Sequence, residues 1–233
     1  MILITREHSK VTSLITALGN HQITTIPMFS TLKNNARHSF IESDIYIFIS
    51  QYSVEYFCKT HMPDVNKKII AVGPATARSL HQQNWQAIMP KQDFSSNGIL
   101  ELADLTNIKN KTITIICGQP FSQYLGNELI ARGAKIIYYP VYKRERPTQN
   151  NIEKLIKLNN QSLTAITFSS IFSLNNFHIL IQKHQLTNLG KCCWIVVNQQ
   201  MLSKIRAWGY NNRIIVTDNA TNTALIKAIK DNF

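Results

Sequence analysis

The sequence predicts an α/β fold in which parallel sheets are flanked by helices. The first reason is that short apolar runs alternate with helical patterns along the whole chain, which indicates βαβ units. The second is the stretch 44–50, which is apolar from Ile45 to Ile49 without interruption. Such a run is typical of a strand that is buried on both faces of a parallel sheet. The third is an internal repeat that divides the elements into two similar sets.

The first half of the chain predicts strands at residues 2–4, 23–29, 44–50, 67–72 and 88–90. The helix between the first two strands ends at Gly19, since glycine commonly follows the last residue of a helix. Further helices begin after Ser50 and at Gly73, because serine caps helices and Pro74 suits a first helical turn. Another helix opens at residues 95–98. Residues 30–43 are polar and helix-like at best.

The second half predicts strands at residues 112–117, 135–142, 163–169, 192–197 and 213–217, with a last helix at 221–231. The strand 135–142 leads into the stretch 139–147, which holds two prolines and three cations. Proline fixes φ and has no N–H, so Pro140 and Pro147 favour extended backbone over helix. This stretch is therefore predicted to be an extended connector that leaves a strand.

Two matches define the internal repeat. Residues 48–57 align with residues 168–177 without a gap, and both stretches begin and end with phenylalanine. A helix end, a short strand and a proline also recur, at Gly19 with Pro27 and at Gly133 with Pro140. The two copies indicate two lobes with a cleft between them. Taken alone, the repeat suggests two sequential domains that meet near Lys109.

Composition restricts the kind of protein. The chain has 233 residues, 44% of them hydrophobic, and no apolar run approaches the roughly 20 residues of a membrane-spanning helix. The first residues lack the features of a signal peptide, so a cytoplasmic location and no membrane partner are expected. The net charge of +12 favours an anionic partner. Lys and Arg are spread along the chain and no nucleic-acid motif is visible, so no nucleic-acid partner is expected.

No metal or cofactor is predicted. The four cysteines lack metal-ligand spacing, the seven histidines are scattered, and neither a P-loop nor a GxGxxG motif occurs. Small polar residues instead follow the predicted strands, where ligands of open α/β sheets bind. They are Thr5 and Arg6, Ser50, Gly73 to Thr76, Ser170, and Asn198 to Gln200. Hydroxyls and helix N–H groups suit carboxylates or phosphates, but Ser50, Thr76 and Ser170 would serve equally as helix caps.

These residues resemble the motifs of uroporphyrinogen-III synthases over nearly the whole chain. The opening Thr5-Arg6-Glu7 is similar to the family's, and so is Phe48-Ile49-Ser50. The most specific part is Val72-Gly73-Pro74-Ala75-Thr76-Ala77 together with Val141-Tyr142. The resemblance implies two flavodoxin-like lobes built from a discontinuous chain, with a cleft between them. One lobe takes residues 1–30 and 148–233, the other takes 36–141, and a two-stranded connector joins them near 31–35 and 142–147.

The resemblance also implies a reaction. Hydroxymethylbilane would lose its hydroxyl as water, ring D would be inverted through a spiro intermediate, and the macrocycle would close as uroporphyrinogen III, without a cofactor. Tyr142 falls on the family's tyrosine that assists departure of the hydroxyl as a general acid. Arg6, Ser50, Gly73, Thr76, Ser170 and Gln200 fall on positions expected to bind the polycarboxylate substrate. A monomer that receives its substrate from the preceding bilane-forming enzyme is expected.

Three features of the sequence leave alternatives open. Asn198-Gln199-Gln200 replaces the family's usual Gly-Pro-Thr, and Phe172 stands where a small hydroxyl residue is common. Tyr142 could instead be a strand-end aromatic that only packs. A non-catalytic two-lobe binding or regulatory protein for an anionic ligand is therefore the rival hypothesis, because fold alone does not settle function.

Overall fold

The computed structural model describes residues 1–7, 10–34, 42–59 and 66–233. They form two compact units, one made of Met1–Ser30 with Glu145–Phe233 and the other of Thr31–Arg144. The predicted domain start at residue 36 lies outside the described residues. Among the residues that are described, no helix has both the length and the apolar character needed to cross a membrane.

Strands and helices alternate, as the sequence predicts. The strands are β1 Ile2–Ile4, β2 Ile23–Thr25, β3 Ser30–Lys33, β4 Ile45–Phe48, β5 Lys68–Ala71, β6 Thr112–Gln119, β7 Lys135–Glu145, β8 Ala165–Phe168, β9 Cys193–Val196 and β10 Ile214–Val216. The helices are α1 Thr12–Leu18, α2 Gln51–Phe57, α3 Pro74–His81, α4 Ser96–Leu100, α5 Tyr124–Ala131, α6 Gln149–Leu158, α7 Ile171–His184, α8 Thr187–Lys191, α9 Gln199–Ala207 and α10 Asn222–Lys230.

The sheet of the first unit has the strand order β10-β9-β8-β1-β2, and all of its pairings are parallel. Its central strands are apolar and buried, and Leu3, Ile166 and Ile195 have no exposed surface. Helices cover this sheet through a single core cluster in which Trp194 is the largest fully buried side chain. Because the strands are parallel, their carboxyl ends lie at one edge of the sheet.

The sheet of the second unit has the strand order β3-β7-β6-β4-β5. Strands β4 to β7 pair in parallel. Along β4, Ile45 and Ile47 belong to the core on one face, whereas Tyr46 and Phe48 belong to the core on the other. The two cores explain why the run at residues 44–50 is apolar throughout, and they confirm the prediction of a strand that is buried on both faces.

Several element predictions were wrong. Residues 30–33 form β3 instead of a polar, helix-like stretch, and β2 ends at Thr25, before the predicted end at Phe29. As the last strand of its sheet, β3 tolerates polar residues because it pairs on only one side. Residues 88–90 form no strand and contribute only an isolated bridge, between Ile88 and Ile70.

Two helices, α6 and α8, were not predicted. The first turn of α6 is polar and gave no helical pattern of apolar residues. Leu155 and Leu158, which follow it, are buried on one face of the helix. Thr148 caps α6, since its hydroxyl accepts a hydrogen bond from the N–H of Asn151 at 3.3 Å. Strand β7 also continues to Glu145, past its predicted end at Tyr142.

One packing cluster predicts a pH effect on stability. The ring of His178 in α7 stacks on Trp208 with centroids 4.0 Å apart, and its Nδ1 lies 3.1 Å from the Tyr210 hydroxyl. Burial lowers the pKa of His178, and the nearby charge of Lys204 lowers it further. The folded state therefore binds the proton less readily than the unfolded state. His178 therefore contributes to the stability of the folded state at a pH above its unfolded pKa of about 6.5. That contribution is lost as the pH falls through the folded pKa.

We expect the free energy of unfolding to decrease between about pH 7 and pH 5, because this range spans the unfolded pKa of histidine. His178→Phe keeps a ring beside Trp208 and removes the titrating group. Urea unfolding of both proteins over this pH range should show a shallower pH dependence for the variant. An unchanged pH dependence would contradict this role of His178.

Candidate active site

In the second unit, the carboxyl ends of β4 and β5 place the starts of two helices side by side. Ser50 follows β4 and is the N-cap of α2, while Gly73 follows β5 and is the N-cap of α3. The strands are neighbours in the sheet, and the N–H of Val72 donates to the carbonyl of Phe48. Two of the predicted site residues are thus at adjacent positions on one sheet edge.

Ser50 has a structural role of its own. Its Oγ accepts from the N–H of Ser53 at 3.0 Å, and the Ser53 Oγ accepts from the N–H of Ser50 at 3.1 Å. This reciprocal capping satisfies N–H groups that the first turn of a helix leaves without partners. The Ser50 Oγ also lies 3.1 Å from the hydroxyl of Tyr142. The cap and the contact with Tyr142 therefore coexist on one hydroxyl.

Tyr142 is fully buried and its hydroxyl has two partners. Besides Ser50, the Nη2 of Arg144 donates to the Tyr142 oxygen at 3.1 Å. The ring of Tyr142 stacks on Tyr56 with centroids 5.6 Å apart, and it lies at the same distance from Tyr52 at a larger angle. A residue this buried contacts a ligand only after its surroundings move.

Sequence reasoning missed the part played by Arg144. The sequence shows three cations after Tyr142 but does not tell which of them turns back to the phenol. Arg144 does so, and its Nη1 also donates to the carbonyl of Pro120 at 3.1 Å. The signal that could have found it is the strand alternation, because residues 142 and 144 point to the same face of an extended chain.

Gly118 supplies the space for the Tyr142 ring. It lies opposite Tyr142 in the pairing of β6 with β7. A Cβ atom at residue 118 would lie 2.1 Å from the Tyr142 Cζ and 2.2 Å from its Cε2. Because side-chain carbons do not approach that closely, only glycine accommodates the ring in this position.

Gly73 and Thr76 begin α3. Gly73 packs closely against Phe94, since a Cβ atom on it would lie 3.0 Å from the Phe94 Cβ. Thr76 belongs to the first turn of the helix and is only 3% exposed. Its hydroxyl, like that of Tyr142, becomes available to a ligand only if the neighbouring groups move.

The first unit brings three other predicted residues to the carboxyl edge of its own sheet. Arg6 follows β1, and its Nη1 donates to the Oδ1 of Asn222 at 2.9 Å, at the start of α10. Ser170 follows β8 and caps α7, since its Oγ accepts from the N–H of Ser173 at 3.2 Å. Gln200 is exposed in the first turn of α9.

Asn198 keeps the start of α9 intact although the sequence departs from the usual family motif there. Its Oδ1 accepts from the N–H of Met201 at 2.9 Å, as an N-cap requires. The helix therefore starts directly after its strand without the glycine and proline that α3 uses. Gln200 stands at this edge where the resemblance implies a threonine, and Asn198 supplies the N-cap of the helix.

Charge is distributed unevenly along the helices. None of α1–α10, as described, carries Asp or Glu in its first turn. The last turns of α3 and α6–α10 carry Lys, Arg or His instead. In βαβ units the helix starts lie at the carboxyl edge of the sheet, so the described helices offer backbone N–H donors there with no carboxylate in their first turns.

Thiol chemistry is disfavoured in the second unit. Burial raises the pKa of Cys117, the neighbour of Gly118, to about 12. Burial likewise raises the pKa of Cys58 to about 11. Both remain protonated near neutral pH and are poor nucleophiles. In the part of the chain that the structure describes, no group of three His, Cys, Asp or Glu side chains could hold a metal ion.

Comparison with known proteins gives consistent results. The family model described as uroporphyrinogen-III synthase HemD matches residues 9–227. The uroporphyrinogen-III synthase of Escherichia coli is 29% identical over 197 residues, which cover 81% of this chain and 79% of that protein. The structure is similar to that of uroporphyrinogen-III synthetase from Helicobacter pylori, with a TM-score of 0.68, 11% identity, and coverage of 99% and 98% of the two chains. The comparison with a mutant uroporphyrinogen III synthase from Thermus thermophilus gives a TM-score of 0.58, 15% identity, and coverage of 99% and 98% of the two chains.

Proposed function

The chain belongs to the uroporphyrinogen-III synthase family, and from that premise we propose that it closes hydroxymethylbilane to uroporphyrinogen III in tetrapyrrole biosynthesis. The observation that carries the proposal is the family match across residues 9–227. The enzyme is then a cyclising lyase that releases water and inverts ring D. The E. coli relative, which is named as the synthase and matches over most of both chains, favours this enzyme over a non-catalytic binding protein.

The chemistry assigned to Tyr142 follows from its hydrogen bonds. Arg144 donates to the phenol oxygen, so the phenol hydrogen can be donated to an acceptor, a role that the Ser50 Oγ can fill before the substrate binds. In the reaction that acceptor is the departing hydroxyl of the substrate, which leaves as water after it takes the proton. The pyrrole carbon that closes the ring loses a proton, so the phenol regains its hydrogen over the cycle. Ser50, 3.1 Å from the phenol oxygen, holds Tyr142 in place before the substrate is bound.

The substrate of the family bears acetate and propionate groups on every pyrrole ring. Helix starts at α3, α7 and α9 provide N–H donors for such carboxylates, with no acidic side chain in their first turns. We assign Gly73, Thr76, Ser170 and Gln200 to this binding, together with Arg6 in the first unit. The net charge of +12 attracts the polyanion over a longer range.

Long-range attraction makes a prediction about association kinetics. Between about 0.05 M and 0.5 M salt the screening length falls roughly threefold, so the association rate of uroporphyrinogen III should fall clearly. The dissociation rate should change less, because the local hydrogen bonds are screened less. Stopped-flow binding under anaerobic conditions measures both rates. An association rate that is indifferent to ionic strength would contradict a role for the net charge.

Turnover tests the proposed function directly. Hydroxymethylbilane is supplied by a bilane-forming enzyme, and the tetrapyrrole products are separated after oxidation. The proposal predicts the type III isomer in the presence of this protein. A binding protein without activity would leave only spontaneous closure to the type I isomer, which is the result that would overturn the proposal.

The two units support a further part of the proposal. We assign them as two flavodoxin-like lobes joined by a two-stranded connector. Small-angle scattering with and without product should detect a change in dimensions on binding, since hinge closure around a ligand is a common motion of two-lobe proteins. Identical scattering in both states would contradict closure. We also propose a monomer in the cytoplasm, with transfer of the substrate from the preceding enzyme.

A further inference from the structure

We propose that Asn34 is a positioning residue that aims Tyr142 by holding a bulge in β7. The proposal rests on the proposed function, because it assigns a role in the reaction to a residue that contacts only the backbone next to Tyr142. Three observations support it: the bulge turns Tyr142 to the other face of the sheet, Asn34 binds both carbonyls of the bulge, and the repeat contains a counterpart without a phenol.

The bulge is visible in the pairing of β6 with β7. Cys117 lies opposite Pro140 and Gly118 lies opposite Tyr142, so the register skips Val141. In a regular strand Tyr142 would share the face of Tyr138, because side chains alternate. Tyr138 packs against one core, but Val141 and Tyr142 both pack in the other. The extra residue has therefore moved Tyr142 to the face of α2, where Ser50 lies.

The bulge lacks some of the hydrogen bonds that hold a regular strand. Pro140 has no N–H, and Val141 has no paired residue in β6. Asn34, which directly follows β3, compensates from the other side of β7. Its Nδ2 donates to the carbonyl of Pro140 at 2.8 Å, and its backbone N–H donates to the carbonyl of Val141 at 3.0 Å. Asn34 is 8% exposed, so water does not readily replace the amide.

In the first copy of the repeat, two asparagine side chains bind the carbonyls that correspond to those of Pro140 and Val141, but no phenol follows. There the carbonyl of Pro27 accepts from the Asn151 Nδ2 at 3.2 Å, and the carbonyl of Met28 accepts from the Asn176 Nδ2 at 2.7 Å. The aromatic residue that follows is Phe29, which packs edge to face on Phe172 at 5.6 Å. Amide side chains thus bind both proline-containing segments, but only the segment bound by Asn34 is followed by a residue with a hydroxyl, Tyr142.

The test uses Asn34→Asp, which preserves size and the backbone N–H but turns the side-chain donor into an acceptor facing the Pro140 carbonyl. Asn34→Ala serves as a second variant that removes the donor without adding a charge. Asn151→Asp is the matched control, because it makes the same change beside Pro27, in the segment that ends in Phe29 and has no phenol. All three variants are assayed for conversion of hydroxymethylbilane to uroporphyrinogen III.

We expect the Asn34 variants to lower kcat about tenfold, because a displacement of ~1 Å in a reacting group costs up to ~10²-fold. KM should stay within about twofold, since Asn34 does not contact substrate in this account. In a Tyr142→Phe background Asn34→Asp should cause no further loss of kcat, because the phenol that Asn34 positions is absent. Asn151→Asp should retain wild-type turnover.

A structural readout separates this proposal from the proposed function. In protein labelled with ¹³C-tyrosine, the Tyr142 ring signal is identified by its loss in Tyr142→Phe. That signal should shift in the Asn34 variants and stay unchanged in Asn151→Asp. Three results would overturn the positioning role. They are a wild-type kcat in the Asn34 variants, a loss of kcat in the Tyr142→Phe background as large as in the wild-type background, and an unchanged Tyr142 signal. An inactive wild-type protein would overturn the proposed function, while the ring signal would still decide whether Asn34 places Tyr142.

Discussion

Gly118→Ala should lower turnover about 10²-fold, because the Tyr142 ring cannot keep its position beside a methyl group. The new Cβ would lie 2.1 Å from the Tyr142 Cζ, so either the ring or the strand must move. Movement of the ring breaks the hydrogen bonds of its hydroxyl to Ser50 and Arg144. Overpacking of this kind also destabilises a protein by roughly 1–3 kcal/mol.

The measurement combines turnover with urea unfolding, so that a loss of activity is compared with the loss of stability. Gly190→Ala is a suitable control, because its Cβ would lie 3.3 Å from the Tyr210 Cε1, a contact that a small shift relieves. We expect the control to retain turnover. Wild-type turnover in Gly118→Ala would show that the observed position of Tyr142 is not needed for the reaction.

Tyr142→Phe should lower turnover by about 10²-fold while the fold and the affinity for product are retained. The phenyl ring keeps its packing on Tyr56 and Tyr52 and loses only the hydroxyl. General acid catalysis typically contributes about 10²–10⁴-fold. The low end of that range is expected here, because the pyrrole nitrogen of the substrate can itself help to expel the hydroxyl. Thr76→Ala should lower turnover less than Tyr142→Phe does.

The control for Tyr142→Phe is Tyr138→Phe on the same strand. The Tyr138 hydroxyl donates to the carbonyl of Gln123 at 3.1 Å. The Tyr138 side chain packs against the core on the other face of the sheet. Removing it tests the general effect of losing a tyrosine hydroxyl from β7. Equal kcat in the wild type and Tyr142→Phe would make Tyr142 a packing aromatic and leave catalysis to control of the substrate's conformation.

The alternation of strands and helices could be predicted because its signals are local. Unbroken apolar runs such as 44–50 reflect burial on both faces, and Gly19 reflects the end of a helix. The polar edge strand β3 and the helix α6 gave no such signal, because their side chains are partly exposed. Their conformation is decided by pairing with β7 and by two buried leucines, which a polar stretch of sequence does not reveal.

The candidate site was predictable in part. Ser50 was selected because it follows a predicted strand and Tyr142 by resemblance, and the structure places their hydroxyls 3.1 Å apart. The bulge was not predicted, although Pro140 inside a strand is its signal, since proline is confined to edges and bulges of sheets. Without the bulge, sequence alternation puts Tyr142 on the wrong face of β7. The contacts of Asn34 depend on the bulge and were missed with it, whereas Arg144 was missed because the sequence does not tell which of three cations binds the phenol.

Hydrogen–deuterium exchange with and without uroporphyrinogen III, under anaerobic conditions, tests most directly where this protein binds its product. The account predicts slower exchange of backbone N–H groups at the starts of α3, α7 and α9, and around Tyr142. The helix ends that carry Lys and Arg should exchange as before. Protection confined to those basic helix ends, with none at the helix starts or at Tyr142, would contradict the account.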